Sequence, residues 1–156
     1  MTSLPYRPGV GVMLVNADNL VFVGQRIDST LDAWQMPQGG VDDGEDPDDA
    51  VLRELEEETG IAPHLVSRIA RGAEPFDYDL PNDLINSVWK GRFRGQRQHW
   101  YLLRFHGSDT DVNIATDHPE FDKWQWVAPD ALVDLIVPFK RDLYAAIVAE
   151  FAPHLR

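Results

Sequence analysis

The sequence predicts a single α/β domain over residues 1–156, in which helices cover both faces of a mixed β-sheet. Predicted strands alternate along the chain with two main helices, and several connections between strands are short enough to be hairpins. No internal repeat, low-complexity segment or linker divides the 156 residues, a length that suits one domain with its own core.

The first two strands are predicted to form a hairpin. Residues 10–15 are a nearly continuous apolar run, which is typical of a strand buried on both faces. Residues 16–19 have the composition of a turn, and residues 20–23 form the second strand. Residues 34–40 (WQMPQGG) then lead into a helix, and their two glycines free the backbone to pass close to a ligand.

The helix between residues 46 and 60 has clear signals at both ends. Asp46 is predicted to cap its N-terminus, Pro47 suits the first helical position, and Gly60 stops it. At about 100° per residue, one side of this helix is mainly apolar and should be buried. That side consists of Val51, Leu52, Leu55 and Thr59.

The rest of the chain is predicted to supply four more strands and two more helices. The strands are expected at residues 65–70, 74–81, 99–105 and 121–127, with a loop at 82–95. A short helix is expected at 129–135 and an amphipathic helix at 139–151, which Pro153 ends. Trp124 and Trp126 recur with the period of a strand, so we assign them to the core or a groove and to no chemistry.

A second side of the first helix carries three glutamates. Glu54, Glu57 and Glu58 are spaced i, i+3 and i+4, so they are neighbours around Ala50 and repel one another. A divalent cation would reverse that repulsion, because Mg²⁺ binds carboxylate oxygens and is often shared with substrate phosphates. The alternative is a solvated acidic face. Arg53 lies four residues before Glu57 and can pair with it.

These glutamates belong to a longer pattern, which consists of Gly39, Glu45, Arg53-Glu54-Leu55, Glu57-Glu58 and Gly60-Ile61. With this spacing the chain resembles the Nudix hydrolase family, since every constrained position of the Nudix box is matched. The resemblance implies an α/β/α sandwich and hydrolysis of a nucleoside diphosphate linked to another group. It also implies a metal site made by Glu54, Glu57 and Glu58 together with Gly39. Glu45 and Arg53 are implied to hold the loop and the helix together.

Segments outside the box resemble one subgroup, the RNA pyrophosphohydrolases and the asymmetric dinucleoside polyphosphate hydrolases. These segments are residues 6–8 (YRP), 34–40 (WQMPQGG), 95–100 (GQRQHW), 119–121 (PEF), 124–127 (WQWV) and 137–141 (VPFKR). The resemblance implies attack on phosphorus by a water that Mg²⁺ (or Mn²⁺) activates. It makes Glu120 a general base or a further metal ligand, and Glu57 is the other candidate base. Without the resemblance, Glu120 would be assigned as a solvated loop acid.

The same resemblance implies contacts with the substrate. Arg7, Arg26 and Lys140 are matched to contacts with the polyphosphate, and Tyr78 and Phe139 to a groove in which a base stacks. Considered alone, Arg26 could be a solvated strand end and Tyr78 could be ordinary core.

His99 departs from the subgroup, which usually has a lysine at this position. If that lysine contacts a phosphate, binding in this chain becomes weaker or dependent on pH.

The composition restricts the class of protein. The absence of cysteine excludes disulfides and cysteine-ligated metals, and it fits a reducing compartment. No apolar run approaches the ~18 residues of a membrane span and no signal pattern is present, so we expect a cytoplasmic protein without a membrane partner. Taken alone, the net charge of −12 argues against a protein that binds nucleic acid through a broad basic surface, and it permits a small anionic substrate held at a metal. We expect no DNA partner.

One segment, residues 90–97, is basic. It carries Lys90, Arg92, Arg94 and Arg97 with no acid among them. This segment is either an exposed basic loop or a contact for a second nucleoside.

Our first hypothesis is therefore a monomeric RNA pyrophosphohydrolase that acts on 5′-triphosphate ends. The alternative within the class is a hydrolase of dinucleoside polyphosphates that leaves RNA alone. A non-catalytic nucleotide-sensing module is disfavoured, because all three glutamates of the box helix are present. A structural protein that binds cations incidentally is the remaining alternative.

Overall fold

The computed structural model describes residues 4–27, 32–117 and 119–155, so the two ends of the predicted domain, residues 1–3 and 156, lie outside the described residues. The strands are β1 (Tyr6–Val15), β2 (Val21–Arg26), β3 (Gln38–Gly40), β4 (Val66–Arg71), β5 (Phe76–Asp79), β6 (Gly95–Phe105) and β7 (Phe121–Val127). They form one sheet of order β4–β6–β1–β2–β7, with β3 paired to β1 and β5 paired to β6. The β1–β6 pair is parallel and the other pairs are antiparallel, so the predicted mixed sheet is confirmed.

The α-helices of the described residues are α1 (Pro47–Thr59), α2 (Leu132–Leu135) and α3 (Arg141–Phe151). Helix α1 has both predicted ends: the Asp46 side chain accepts a hydrogen bond from the Asp48 backbone nitrogen, and Gly60 adopts a left-handed φ of 72°. None of the described helices has the length and apolar character needed to cross a bilayer.

Strand β1 supplies core residues to both faces of the sheet, because successive side chains of a strand point in opposite directions. Val12 and Leu14 pack with Leu55 of α1 on one face. Met13 packs with Ile147 of α3 on the other face. The two helices therefore cover opposite sides of the sheet, which confirms the α/β/α sandwich.

Two strands begin earlier than the sequence predicted. β1 begins at Tyr6 instead of residue 10, and β6 begins at Gly95 instead of residue 99. The two strands pair in parallel from the Tyr6–Gly95 position onwards. This pairing uses backbone groups, which do not require apolar side chains, and so hydrophobic pattern did not reveal it.

The C-terminal helix also differs from its predicted bounds. A 3₁₀ turn at Pro138–Lys140 precedes α3, and Pro153 lies inside a further 3₁₀ turn, Ala152–Leu155. The predicted hairpin of β1 and β2, the bounds of β7 and the packing of Trp124 and Trp126 against the core are confirmed.

Candidate active site

The candidate site lies where β3 meets α1. A Cβ atom at Gly39 would overlap the Glu54 carboxylate, so only glycine lets that carboxylate rest against the β3 backbone. Glu58 is buried and accepts a hydrogen bond from the Gln38 backbone nitrogen at 3.0 Å. Glu57 is the exposed member of the set, with 56% of its side chain accessible. The helix and the short strand are thus joined through two of the three predicted metal ligands.

Arg53 joins the loop before α1 to the glutamates on the helix. Its guanidinium donates twice to the Glu45 carboxylate, both times at 2.8 Å, and once to the Gly40 carbonyl oxygen at 3.0 Å. It also donates to Glu54 at 2.9 Å and to Glu57 at 3.1 Å. The hydrogen bonds from Arg53 hold the pKa of Glu45 down at about 2. The geometry agrees with the predicted pairing of loop and helix through Glu45 and Arg53.

Burial disfavours the charged form of two glutamates. It raises the pKa of Glu54, an effect that the charge of Arg53 opposes. It raises the pKa of Glu58 well above the usual range, and the charges of Glu54 and Glu120 raise it further. The carboxylates of a solvated acidic face would be exposed to water. Glu58 is buried, so that alternative is wrong for this residue.

Two adjoining cavities bring acidic and basic side chains together. The acidic cavity, of about 360 Å³, is lined by Glu54, Glu57, Glu58, Glu120, Thr116 and Asp117, among others. The arginine cavity, of about 270 Å³, is lined by Arg7, Arg26, Gln38, Gln96 and Trp89, among others. Both cavities share Glu54, Glu58 and Glu120. A phosphate chain placed across them would have carboxylates on one side and guanidinium groups on the other.

Glu120 and Arg26 meet at the boundary between the two cavities. Their side chains approach to 3.5 Å, between Glu120 Oε2 and Arg26 Nη2, and both are partly exposed. Arg26 is therefore an ion-pair partner inside the site, which differs from the solvated strand end that its composition alone suggested.

Lys140, Tyr78 and Phe139 form a separate group, which the linings of the two cavities do not include. The Lys140 ammonium lies 4.8 Å from the centre of the Tyr78 ring and 5.9 Å from that of Phe139. Lys140 and Tyr78 are buried, whereas Phe139 is 37% exposed. Burial, followed by repulsion from Arg26, lowers the pKa of Lys140 to about 8. The burial of Tyr78 favours its assignment to the core, whereas the exposed ring of Phe139 is accessible to a base.

His99 lies on β6, next to Arg71 of β4. Its Nδ1 atom is 3.1 Å from Nη2 of Arg71, and it lines another cavity together with Tyr6, Pro8 and Arg97. Burial lowers the pKa of His99, and the charge of Arg71 lowers it further. The His99 side chain is absent from the linings of the acidic and arginine cavities, so its position gives no support to an effect on phosphate binding.

The basic segment at residues 90–97 is partly neutralised. Arg94 pairs with Asp79 at 2.8 Å, and Arg97 pairs with Asp77 at 2.7 Å. Lys90 and Arg92 are exposed. The segment therefore presents less positive charge than its sequence suggests.

The donor chemistry of the acidic cavity suits a hard divalent cation. Its carboxylates supply oxygen ligands, which Mg²⁺ and Mn²⁺ prefer. Among the described residues, no three acidic, histidine or cysteine side chains converge closely enough to hold an ion as they stand. One physical reason is that Arg53 draws Glu54 and Glu57 toward itself. An ion would compete with Arg53 for these carboxylate oxygens. The residues of the acidic cavity therefore fit a divalent ion through the type and the position of their donor atoms.

Sequence reasoning missed the glutamines that surround the site. Gln96 and Gln98 are almost completely buried. Gln98 Nε2 donates to Gln38 Oε1 at 2.8 Å and to Gln96 Oε1 at 2.7 Å. The available signal was the recurrence of amides at alternate positions of a central strand, because buried amides need hydrogen-bond partners.

Comparison with known proteins places these features in a family. The chain matches the NUDIX domain model over residues 5–147. It is 59% identical over 155 residues to the RNA pyrophosphohydrolase of Roseobacter denitrificans, covering 99% of this chain and 97% of that protein. It is 57% identical over 151 residues to the RNA pyrophosphohydrolase of Sphingopyxis alaskensis, covering 97% and 96% of the two chains.

Solved structures share the fold at lower identity. The E. coli dihydroneopterin triphosphate pyrophosphohydrolase is 20% identical with a TM-score of 0.70, over 93% of this chain and 98% of that one. A C. elegans Ap4A hydrolase in a binary complex is 20% identical with a TM-score of 0.68, over 94% and 98%. The match of the domain model to most of the chain, together with relatives of such high identity over nearly its whole length, shows that this chain belongs to the Nudix hydrolase family.

Proposed function

We propose that this protein is an RNA pyrophosphohydrolase, which removes pyrophosphate from 5′-triphosphorylated RNA and leaves a 5′-monophosphate. The observation that carries the proposal is the sharing of Glu54, Glu58 and Glu120 between the acidic and arginine cavities. A polyphosphate substrate needs positive side chains and carboxylates that can hold a metal ion, and these three residues form the wall at which the arginine cavity adjoins the acidic one. The function of the relatives supports the choice of RNA as substrate.

The carboxylates of the acidic cavity are proposed to hold the divalent ion. Glu54, Glu57, Glu58 and Glu120 supply oxygen ligands, and Gly39 lets Glu54 approach the strand. When bound, Mg²⁺ or Mn²⁺ neutralises charge on the phosphate oxygens and lowers the pKa of a bound water. The protein's own part is to position the phosphate chain and to accept a proton.

Two carboxylates are candidates for the general base that accepts this proton. Glu57 is exposed on α1 and pairs with Arg53 at 3.1 Å. Glu120 lies opposite, paired with Arg26 at 3.5 Å. Each of these carboxylates therefore has a guanidinium beside it at the edge of the acidic cavity. Arg7 and Arg26 are proposed to bind phosphate oxygens, for which the planar guanidinium is suited.

A glutamine substitution tests the catalytic assignment. The E57Q variant removes one ionisable oxygen with almost no change in volume, so we expect turnover of triphosphate RNA to fall by about two or more orders of magnitude. The fold should persist, because Glu57 is exposed. E150Q makes the same change at an exposed position of α3 and should keep the wild-type rate. Wild-type rates for E57Q on every substrate tried would refute the assignment.

The second candidate is a hydrolase of dinucleoside polyphosphates. The net charge of −12 favours it mildly, because a strongly acidic protein repels a long polyanion more than a short one. The test compares 5′-triphosphate RNA that has at least two unpaired leading nucleotides with diadenosine tetraphosphate, both in the presence of Mg²⁺. Faster release of pyrophosphate from the RNA supports the proposal, and preference for the dinucleotide would replace it by the second candidate.

A salt series gives an independent measure of the same choice. Binding through many phosphates weakens steeply with salt, whereas binding of a short polyphosphate weakens less. The RNA reaction is therefore expected to show a KM that rises more steeply with NaCl than the KM for diadenosine tetraphosphate.

A further inference from the structure

The turn at Trp89, Lys90 and Gly91 has an unusual backbone. Trp89 has a φ of 50° and Lys90 a φ of 59°, both in the left-handed region, and Gly91 continues at 72°. Bulky residues rarely occupy this region, and such strain persists only where the surroundings hold it in place. Here two backbone hydrogen bonds close the turn, from Gly91 to Val88 and from Arg92 to Trp89.

The strained turn places the Trp89 ring at the wall of the arginine cavity. The ring packs partly against the core on the α3 side and meets the edge of Phe93, with 6.1 Å between ring centres. Its position is therefore fixed from two directions. A ring held this firmly can orient a flexible side chain that lies over it.

Arg7 is that side chain. Its Cζ atom lies 5.3 Å from the centre of the Trp89 ring, a cation–π distance. The same guanidinium packs against Gly40, where any Cβ atom would overlap it. In the ranges that the structure describes, no carboxylate oxygen lies within 4 Å of Arg7, so Trp89 and Gly40 hold a guanidinium whose N–H groups are not used in an ion pair.

We propose that Trp89 is a positioning residue, which holds the Arg7 guanidinium over the arginine cavity so that its N–H edge meets a substrate phosphate. The inference rests on the proposed function, because it presupposes that Arg7 binds phosphate. Trp89 acts through Arg7, so its loss has no effect once Arg7 has been removed. Pre-ordering of Arg7 also reduces the entropy that binding would otherwise cost, so the effect falls on KM.

The test is a double-mutant cycle of R7A and W89L, with steady-state kinetics on 5′-triphosphate RNA in the presence of Mg²⁺. W89L keeps an apolar side chain and removes the aromatic face, so we expect KM to rise about twofold to thirtyfold with kcat nearly unchanged. R7A should raise KM more. The R7A/W89L variant should match R7A within about twofold, because the two residues act as one unit.

Two further variants keep the test decisive. W89F retains an aromatic face and is expected to restore most of the affinity that W89L loses. W124L is the matched control: Trp124 stacks on Phe22 on the opposite, α1 side of the sheet, so its change should leave KM unchanged. If W89L does not fold, W89M carries the test, because methionine is a flexible apolar side chain without an aromatic face, and KM should rise as predicted for W89L.

The outcomes separate this inference from the proposed function. An unchanged KM for R7A would remove the proposed role of Arg7 in the reaction. A raised KM for R7A with a wild-type KM for W89L would overturn the positioning role alone. A W89L effect that persists in full in the R7A background would also overturn it, since Trp89 would then act independently of Arg7.

Discussion

Lys140 shows how burial sets the charge of a single residue near the site. The residue is 7% exposed, and burial together with the charge of Arg26 lowers its pKa to about 8 from an ordinary value of 10.5. The depressed pKa means that the folded state binds this proton less tightly than the unfolded state. The free energy of unfolding therefore depends on pH through Lys140. The contribution of Lys140 is complete above pH 10.5 and is lost as the pH falls through about 8, with a size of about 3 kcal/mol.

The same shift predicts a pH dependence of substrate binding. If Lys140 contributes a positive charge toward the polyphosphate, KM for triphosphate RNA should rise as the pH increases from about 7 to 9.5 and the ammonium loses its proton. The K140M variant has no proton to lose, so its KM should be high and flat across this range. KM measured at half-unit steps checks the prediction, and a K140M profile parallel to that of the wild type would contradict it.

Arg53 shows what one guanidinium does for the box. It holds the carboxylates of Glu45, Glu54 and Glu57 at hydrogen-bond distance. The spacing along the helix predicted the contact with Glu57, and the family resemblance implied the contact with Glu45. The contact with Glu54, its immediate neighbour in the chain, was not predicted, because adjacent residues of a helix do not face each other.

At the scale of elements, α1 is held by its ends as well as by its buried side. Asp46 caps the first turn through a hydrogen bond of 2.8 Å to the Asp48 nitrogen, and Gly60 ends the helix in a left-handed conformation. Its correct placement matters for function, because every glutamate of the proposed metal site except Glu120 is on this helix.

Removal of the cap should therefore destabilise the protein measurably. D46A is expected to lower the free energy of unfolding by about 1 kcal/mol, because the Asp48 N–H loses its partner. D46N is the matched control: asparagine also caps, so it should retain nearly all the stability while it removes the same charge. Urea denaturation of the three proteins measures the difference, and equal midpoints for D46A and D46N would show that the cap contributes nothing.

At the scale of the whole molecule, the acidic charge and the location of the site are connected. The chain carries a net charge of −12, and part of that charge is concentrated on α1 and the loop before it. In the fold this acidic stretch faces Glu120 from a distant part of the chain, across a cavity of about 360 Å³. A divalent cation in the proposed site would relieve the repulsion among these groups.

Cation binding should be visible as thermal stability. An ion that binds only the folded state at about 100 times its Kd adds about 2.7 kcal/mol, which raises Tm by roughly 5–10 °C for a chain of this size. We expect this rise with MgCl₂ for the wild type and for E150Q, and not with NaCl at matched ionic strength. The E54Q/E57Q variant should lose most of it, and an equal rise in that variant would place the ion elsewhere.

Much of the architecture followed from local signals. The apolar run at residues 10–15 predicted a strand buried on both faces. The cap residue Asp46 and the stop residue Gly60 predicted both ends of α1. Strand starts at Tyr6 and Gly95 were not predicted, because parallel pairing depends on a partner about 89 residues away and not on the side chains themselves.

By itself the sequence determined the family, the box residues and the reaction class, because these depend on residue types at fixed spacing within one continuous segment, residues 39–61. Only the tertiary structure decided which of those residues are buried, paired or accessible. Glu58 and Lys140 are buried because other elements cover them, and Trp89 meets Arg7 because the loop after β5 folds back beside β1. Such contacts join residues that are far apart in the sequence, so the spacing of residues along the chain does not predict them.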